Sequence, residues 1–230
     1  MPLLVYLVNI YKERALKSGE HGKTRTRGRP RRGQEHDGGE LLDAALACFA
    51  EHGFEKTSLR TIAARAGVDV ALISYRFGSK MGLWTAVVDS VANDSVTRMA
   101  IWPEQHRELS PELQMEQLCT GMVEMMAERP LFAQLLISEI MTTGKGERQA
   151  LIVDRLGRPI YAMLFDRIAK IRNIDKHDDP DEIGMSILAS MSMIGVLIST
   201  RQFVSSVSRI EEDDDTLKRR LAAMMLRLLK

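Results

Sequence analysis

Between Thr57 and Lys80, two short runs with helical apolar spacing meet at a single glycine, Gly67. The first, Thr57-Ser58-Leu59-Arg60-Thr61-Ile62-Ala63-Ala64-Arg65-Ala66, opens on Thr57 or Ser58 as a cap. A capping hydroxyl satisfies an orphan N–H, and glycine takes the left-handed conformation that closes a helix. The second run has Asp69 as its cap and continues Val70-Ala71-Leu72-Ile73-Ser74-Tyr75-Arg76, predicted to end near Arg76. Helices this short do not stand alone, because nucleation costs more than two turns return. Ile62, Ala63, Val68, Leu72, Ile73 and Phe77 must therefore press into a shared core, leaving the second run facing outward. Two helices joined in this way form a helix-turn-helix, whose projecting helix fits a major groove roughly 12 Å wide.

From residue 37 onward the apolar spacing is helical, with no alternating strand pattern, so the chain is predicted to be all-α. Asp37 with Glu40 makes a capping-box-like start for a first helix carrying Leu42, Ala45, Leu46 and Phe49, with Gly53 as its stop. Ser79 caps a fourth helix running from Lys80 into the mid-nineties. Further helices are expected over 111–128 behind Ser110, over 130–141, and over 147–172 with a bend or break at Pro159. A break is expected at Gly144 and Gly146, and a helix from Asp179-Pro180 holds the uncharged stretch 183–200. The last helix begins with acids (Glu211, Glu212, Asp213, Asp214, Asp215) and ends with bases (Arg219, Arg220, Arg227, Lys230), as the helix dipole favours.

The formal net charge of +1 conceals an uneven distribution: six bases and no acid lie between Lys23 and Arg32. Such local density suits a polyanion. Within it, Arg27-Gly28-Arg29-Pro30 resembles the core of an AT-hook, an element that lies in A·T-rich minor grooves. A solubilising tail is the other reading of this arm. Cys48 and Cys119 are isolated, which predicts reduced thiols in the cytoplasm, and the five histidines are too dispersed for a metal site. No phosphate-binding glycine loop or nucleophile elbow is found, so neither an enzyme nor a cofactor is expected. The apolar start (residues 1–8) lacks a basic n-region and a cleavage site, and 183–200 is diluted by Ser, Thr and Gly. Neither predicts a membrane span; the second is expected to be covered by protein.

The first-helix run Ala44-Ala45-Leu46-Ala47-Cys48-Phe49-Ala50, then Gly53-Phe54, Thr57-Ser58, Ile62-Ala63, Ala66-Gly67-Val68 and Tyr75-Arg76-Phe77-Gly78-Ser79-Lys80, together resemble the DNA-binding domain of TetR-family regulators. Residues 73–80, and Ile194-Gly195 followed by Arg201, are also similar to the CerR-like subgroup. The resemblance implies that Tyr75 and Lys80 contact phosphates, that Arg60 reaches a base edge, and that Val70 and Ala71 face the groove. Thr57, Ser58, Ser74 and Arg76, with Arg27 and Arg29 of the arm, complete the expected DNA-facing set. Ser74 and Arg76 depart from the family's common tyrosine and histidine, and Met81-Gly82 stand where an acid often supports the next helix.

The expected organisation is a flexible basic arm (1–36), a helix-turn-helix domain (37–83) and a ligand-binding and dimerisation domain (84–230). Twelve methionines lie in this last part. They suit either an irregular core or an adaptable cavity for an apolar or aromatic small molecule. Gln134, Ser138 and Glu139 fit either polar contacts in such a cavity or a solvated edge. Residues 183–200 and the final helix, with Leu217, Leu221, Met224, Met225, Leu228 and Leu229, give two greasy faces that one protomer is not expected to cover. A homodimer through the last two helices follows, in agreement with the resemblance. The function expected is a ligand-responsive repressor on a two-fold DNA operator; the alternative is a constitutive or architectural DNA-binding protein led by its arm.

Overall fold

The computed structural model describes residues 38–106, 108–141, 146–173, 179–208 and 213–229, and within them every regular element is helical. The arm with Arg27 and Arg29, the cap residue Asp37, Gly144, Glu211 and Glu212 lie outside the described residues. The first four helices are α1 (Gly38–Lys56), α2 (Leu59–Ala66), α3 (Val70–Phe77) and α4 (Lys80–Gln105). Gly53, at φ 77° and ψ 161°, breaks the helical path of α1 where the stop was expected. A residue without Cβ takes this conformation with little strain. The break turns Phe54 back onto α1 and α4: its ring stacks on Phe49 at 5.6 Å and meets Trp84 edge-on at 5.5 Å. Leu41, Ala45, Ile62, Ile73 and Leu83, all buried, close the core around these rings.

The second group comprises α5 (Pro111–Ala127), α6 (Pro130–Met141), α7 (Glu147–Ile152), α8 (Arg158–Arg172), α9 (Pro180–Ser199), α10 (Arg201–Ser208) and α11 (Asp214–Leu228). The interruption expected at Pro159 falls just before it, as a π turn over Val153–Gly157. Proline has no N–H and its ring presses on the carbonyl four residues back, so the widened turn absorbs the misfit. Pro159 itself is buried near the start of α8. Helix α4 runs on to Gln105, beyond the expected mid-nineties, and continues unbroken through position 83. Helix α10, rich in serine, was not anticipated.

Packing corrects the expectation about the last helix. Helix α11 lies along α5 of the same chain, burying Leu221, Met225 and Leu229. Its apolar face is therefore largely covered within the protomer. Helix α9 is long and apolar enough to cross a membrane by length and composition. One face of it (Ile183, Ile187, Ile194) is buried in the protein, while Met185 is 66% exposed on another. Phe203 and Val207 of α10 are also exposed. Helices α9 and α10 thus keep apolar side chains uncovered, whereas on α11 it is Leu228 that stays exposed. Helix α1 packs against α6, which joins the first group of helices to the second.

Candidate nucleic-acid interface and an apolar cavity

Ser58 is the cap of α2: its Oγ accepts from the Thr61 N–H at 3.1 Å. Thr57 takes a different part, with its hydroxyl buried and within reach of the carbonyls of Gly53 (2.7 Å) and Cys48 (3.0 Å). A buried hydroxyl so engaged is unavailable to DNA, so the expectation for Thr57 is corrected to a lock between α1 and α2. Gly67 closes α2 in the left-handed region (φ 67°), and Asp69 Oδ1 caps α3 by accepting from the Ala71 N–H at 2.7 Å. An exposed ion pair, Arg65 to Glu51 at 2.7 Å, also links α2 to α1. The Arg65 guanidinium holds the Glu51 carboxyl below its usual range.

Helix α3 rests on Ile73, which is fully buried, while Ala71, Ser74, Tyr75 and Arg76 face outward. Val70 is half-buried and packs against the core, which limits the groove-facing role expected of it. Tyr75 is 89% exposed, a position that no core role explains. Arg60 is exposed on the first turn of α2. The Arg76 guanidinium lies 3.1 Å from where a Cβ on Gly38 would stand, so position 38, where the arm joins, sits beside α3. Lys80 bonds inward: its Nζ donates to the carbonyls of Phe54 (2.8 Å), Thr57 (3.0 Å) and Glu55 (3.3 Å). These are carbonyls of the turn after Gly53, so the ammonium stitches that turn to the start of α4 rather than reaching outward.

A cavity of about 460 Å³ opens between α4, α5, α6, α8 and α9. Met122, Met125, Met126, Met141 and Met191 line it, whereas Met115 and Met225 fill the core, so the methionines divide between the two expected uses. Its polar edge is Asp94 with Arg129, an ion pair at 3.8 Å, beside buried Ser95. Glu139 belongs neither to this lining nor to a solvated edge: it is buried and bonded to Arg148 at 3.0 Å. Nothing in the spacing of residues 139 and 148 signalled that pair. Among the described residues no cluster of His, Cys, Asp or Glu is arranged to hold a metal.

Residues 41–87 match the pattern of the bacterial regulatory proteins of the tetR family. The match coincides with α1–α3 and the start of α4. Over 174 residues the chain is 32% identical to the HTH-type transcriptional dual regulator CecR of Shigella flexneri, covering 70% of this chain and 74% of that one. The chain belongs to the TetR family. This TetR-family protein is a DNA-binding transcriptional regulator rather than an enzyme, as its relatives are. A shorter stretch, 54 residues, is 48% identical to the regulatory protein RaaS of Mycobacterium tuberculosis, covering 24% of this chain and 25% of that one. Its fold is shared by the regulator FadR of Bacillus subtilis, solved in complex with stearoyl-CoA (TM-score 0.63, 17% identity, 83% of this chain and 96% of that one). These relatives do not assign the TetR-family regulator to the CerR-like subgroup.

Proposed function

We propose that this regulator binds a two-fold DNA operator as a homodimer and that a small apolar or aromatic molecule in the cavity weakens that binding. In this reading residues 37–83 read DNA, residues 84–230 bind the effector and the second copy, and the protein works in the cytoplasm. The observation that carries it is the outer edge of α3, where a large aromatic side chain, Tyr75, stands 89% exposed beside Ala71, Ser74 and Arg76. A tyrosine so exposed has a hydroxyl free for a phosphate, while Arg60 is placed for a base edge. Ser58 and the start of α2 bring backbone N–H groups to the same side. Lys80 supports this face from behind through the carbonyls it holds. The arm joins beside Arg76, so Arg27 and Arg29 are taken to follow the neighbouring minor groove.

The cavity's methionine lining supports an adaptable, apolar effector, and FadR, a relative in fold, is solved with stearoyl-CoA, of which the acyl chain is apolar. The exposed side chains of α9 and α10 supply an apolar face for a second copy, which would set two α3 helices about 34–36 Å apart. Selection of bound fragments from genomic DNA, followed by footprinting, tests the reading. A protected two-fold site is expected, with operator affinity lost in Tyr75→Ala and secondary structure unchanged. Deleting residues 1–36 separates the arm-led alternative. A reader built on α3 keeps its sequence preference at lower affinity, whereas an arm-led binder loses the preference.

A further inference from the structure

Arg148 stands on α7, the short helix that leads into the π turn, and its guanidinium engages two carboxylates on different parts of the fold. Nε donates to Glu139 Oε2 of α6 at 3.0 Å, and Nη1 donates to Glu55 Oε1, in the turn after Gly53, at 2.9 Å. Its guanidinium carbon also lies 4.3 Å from the centre of the Phe54 ring, and Lys80 Nζ lies 4.4 Å from that same centre. One ring therefore takes a cation from the start of α4 and another from α7. Helix α6, which carries Glu139, and the chain after Arg148 also wall the cavity: α6 contributes Phe132 and Met141, and the chain after Arg148 contributes Ile152 and Leu156.

The two carboxylates are unequal. Glu139 has only 7% of its side chain exposed, and a buried charge cannot be left without its partner at small cost. Glu55 has 78% of its side chain exposed, so water replaces its partner with little loss. A movement of α6 or the π turn therefore carries Arg148 with Glu139 and parts it from Glu55 and Phe54. Phe54 and Glu55 belong to the turn from which Thr57, Lys80 and the cap of α2 are set. We propose that Arg148 is the positioning residue through which the cavity sets the helix-turn-helix: it stays on Glu139 and releases Glu55 and Phe54 when the cavity fills. The proposal rests on the ligand-responsive reading above and names the contact that transmits the response.

The test uses the full chain, a selected genomic operator fragment and 1-anilinonaphthalene-8-sulfonate as the cavity probe. Loss of probe binding in Ala133→Trp, at a residue lining the cavity, assigns the probe to that site. Linkage requires operator and probe to weaken one another by the same factor, expected here within about 5–150-fold. In Glu55→Gln and in Arg148→Lys that factor is expected to fall below about twofold while probe affinity without DNA stays within about twofold of wild type. A merely structural role for Arg148 moves melting temperature but not this factor. If both variants keep the wild-type factor, the proposal is overturned. If the wild-type protein binds the probe in the cavity with the same affinity whether or not operator is present, the ligand-responsive reading fails, and the role of Arg148 falls with it.

Discussion

Lys80 spends its ammonium on three backbone carbonyls and an aromatic ring, an assignment that its place in a DNA-binding motif did not disclose. Hydrogen bonds to a charged group contribute about 1.5–3 kcal/mol each. Lys80→Met is thus expected to lower unfolding free energy by about 1.5–3 kcal/mol or more, read by urea denaturation, whereas Tyr75→Ala leaves stability unchanged and lowers only operator affinity. Cys119 offers a second measurement at this scale. Burial pushes its thiol from the ordinary 9.0 up to about 12. The folded chain then keeps a proton that the unfolded chain releases above pH 9.0, so this contribution is intact below pH 9.0 and is lost as pH rises towards 12. Stability should fall by up to about 1.4 kcal/mol per pH unit across that window. Denaturation of Cys119→Ala over the same range should lack this component of the slope.

At the scale of elements, the junction of α3 and α4 turns on Gly82. A Cβ there would stand 2.0 Å from the carbonyl oxygen of Phe77, which is backbone and cannot swing aside. Gly82→Ala is expected to cost about 1–3 kcal/mol, as overpacking does, and to lower operator affinity by displacing α3; thermal unfolding and filter binding measure the two effects. In the sequence this glycine looked like a weakness at the start of α4. Local signals were otherwise legible: Ser58, Asp69, Ser79, Ser110 and Asp179 all cap the helices that their positions announced. Capping is a short-range interaction, so residues within one turn of each other suffice to reveal it. The buried Glu139–Arg148 pair and the inward turn of Lys80 are tertiary facts, joining residues whose proximity depends on how helices pack. Helix α10 escaped for another reason: its serines weaken helical propensity, and the Thr200 hydroxyl before it donates back to the Val196 carbonyl of α9. The apolar face of α11 was legible, but its partner, α5 of the same chain, was not.

For the whole molecule, the exposed apolar side chains of α9 and α10 make a direct prediction about assembly. Met185→Arg combined with Val207→Arg places a charge among the exposed apolar side chains of each helix without touching the cavity lining. Sedimentation should then find folded monomers, and operator affinity should drop roughly 100-fold or more, since two linked half-site contacts become one. A dimer unaffected by both charges would locate the interface elsewhere. Helix α4 ties this assembly to the cavity. It starts under the turn that Lys80 holds and passes Asp94 and Ser95 at the cavity's edge as one uninterrupted 26-residue rod. At 1.5 Å per residue, Asp94 lies about 21 Å from Lys80 along the axis. A rod that long transmits a tilt as a displacement: a few degrees of rotation about one end moves the other by about an ångström. In a dimer both copies swing, and the two changes add across the symmetry axis. In the dimer and ligand response proposed above, the gap between reading heads is thereby more sensitive to a small occupant than either protomer is alone.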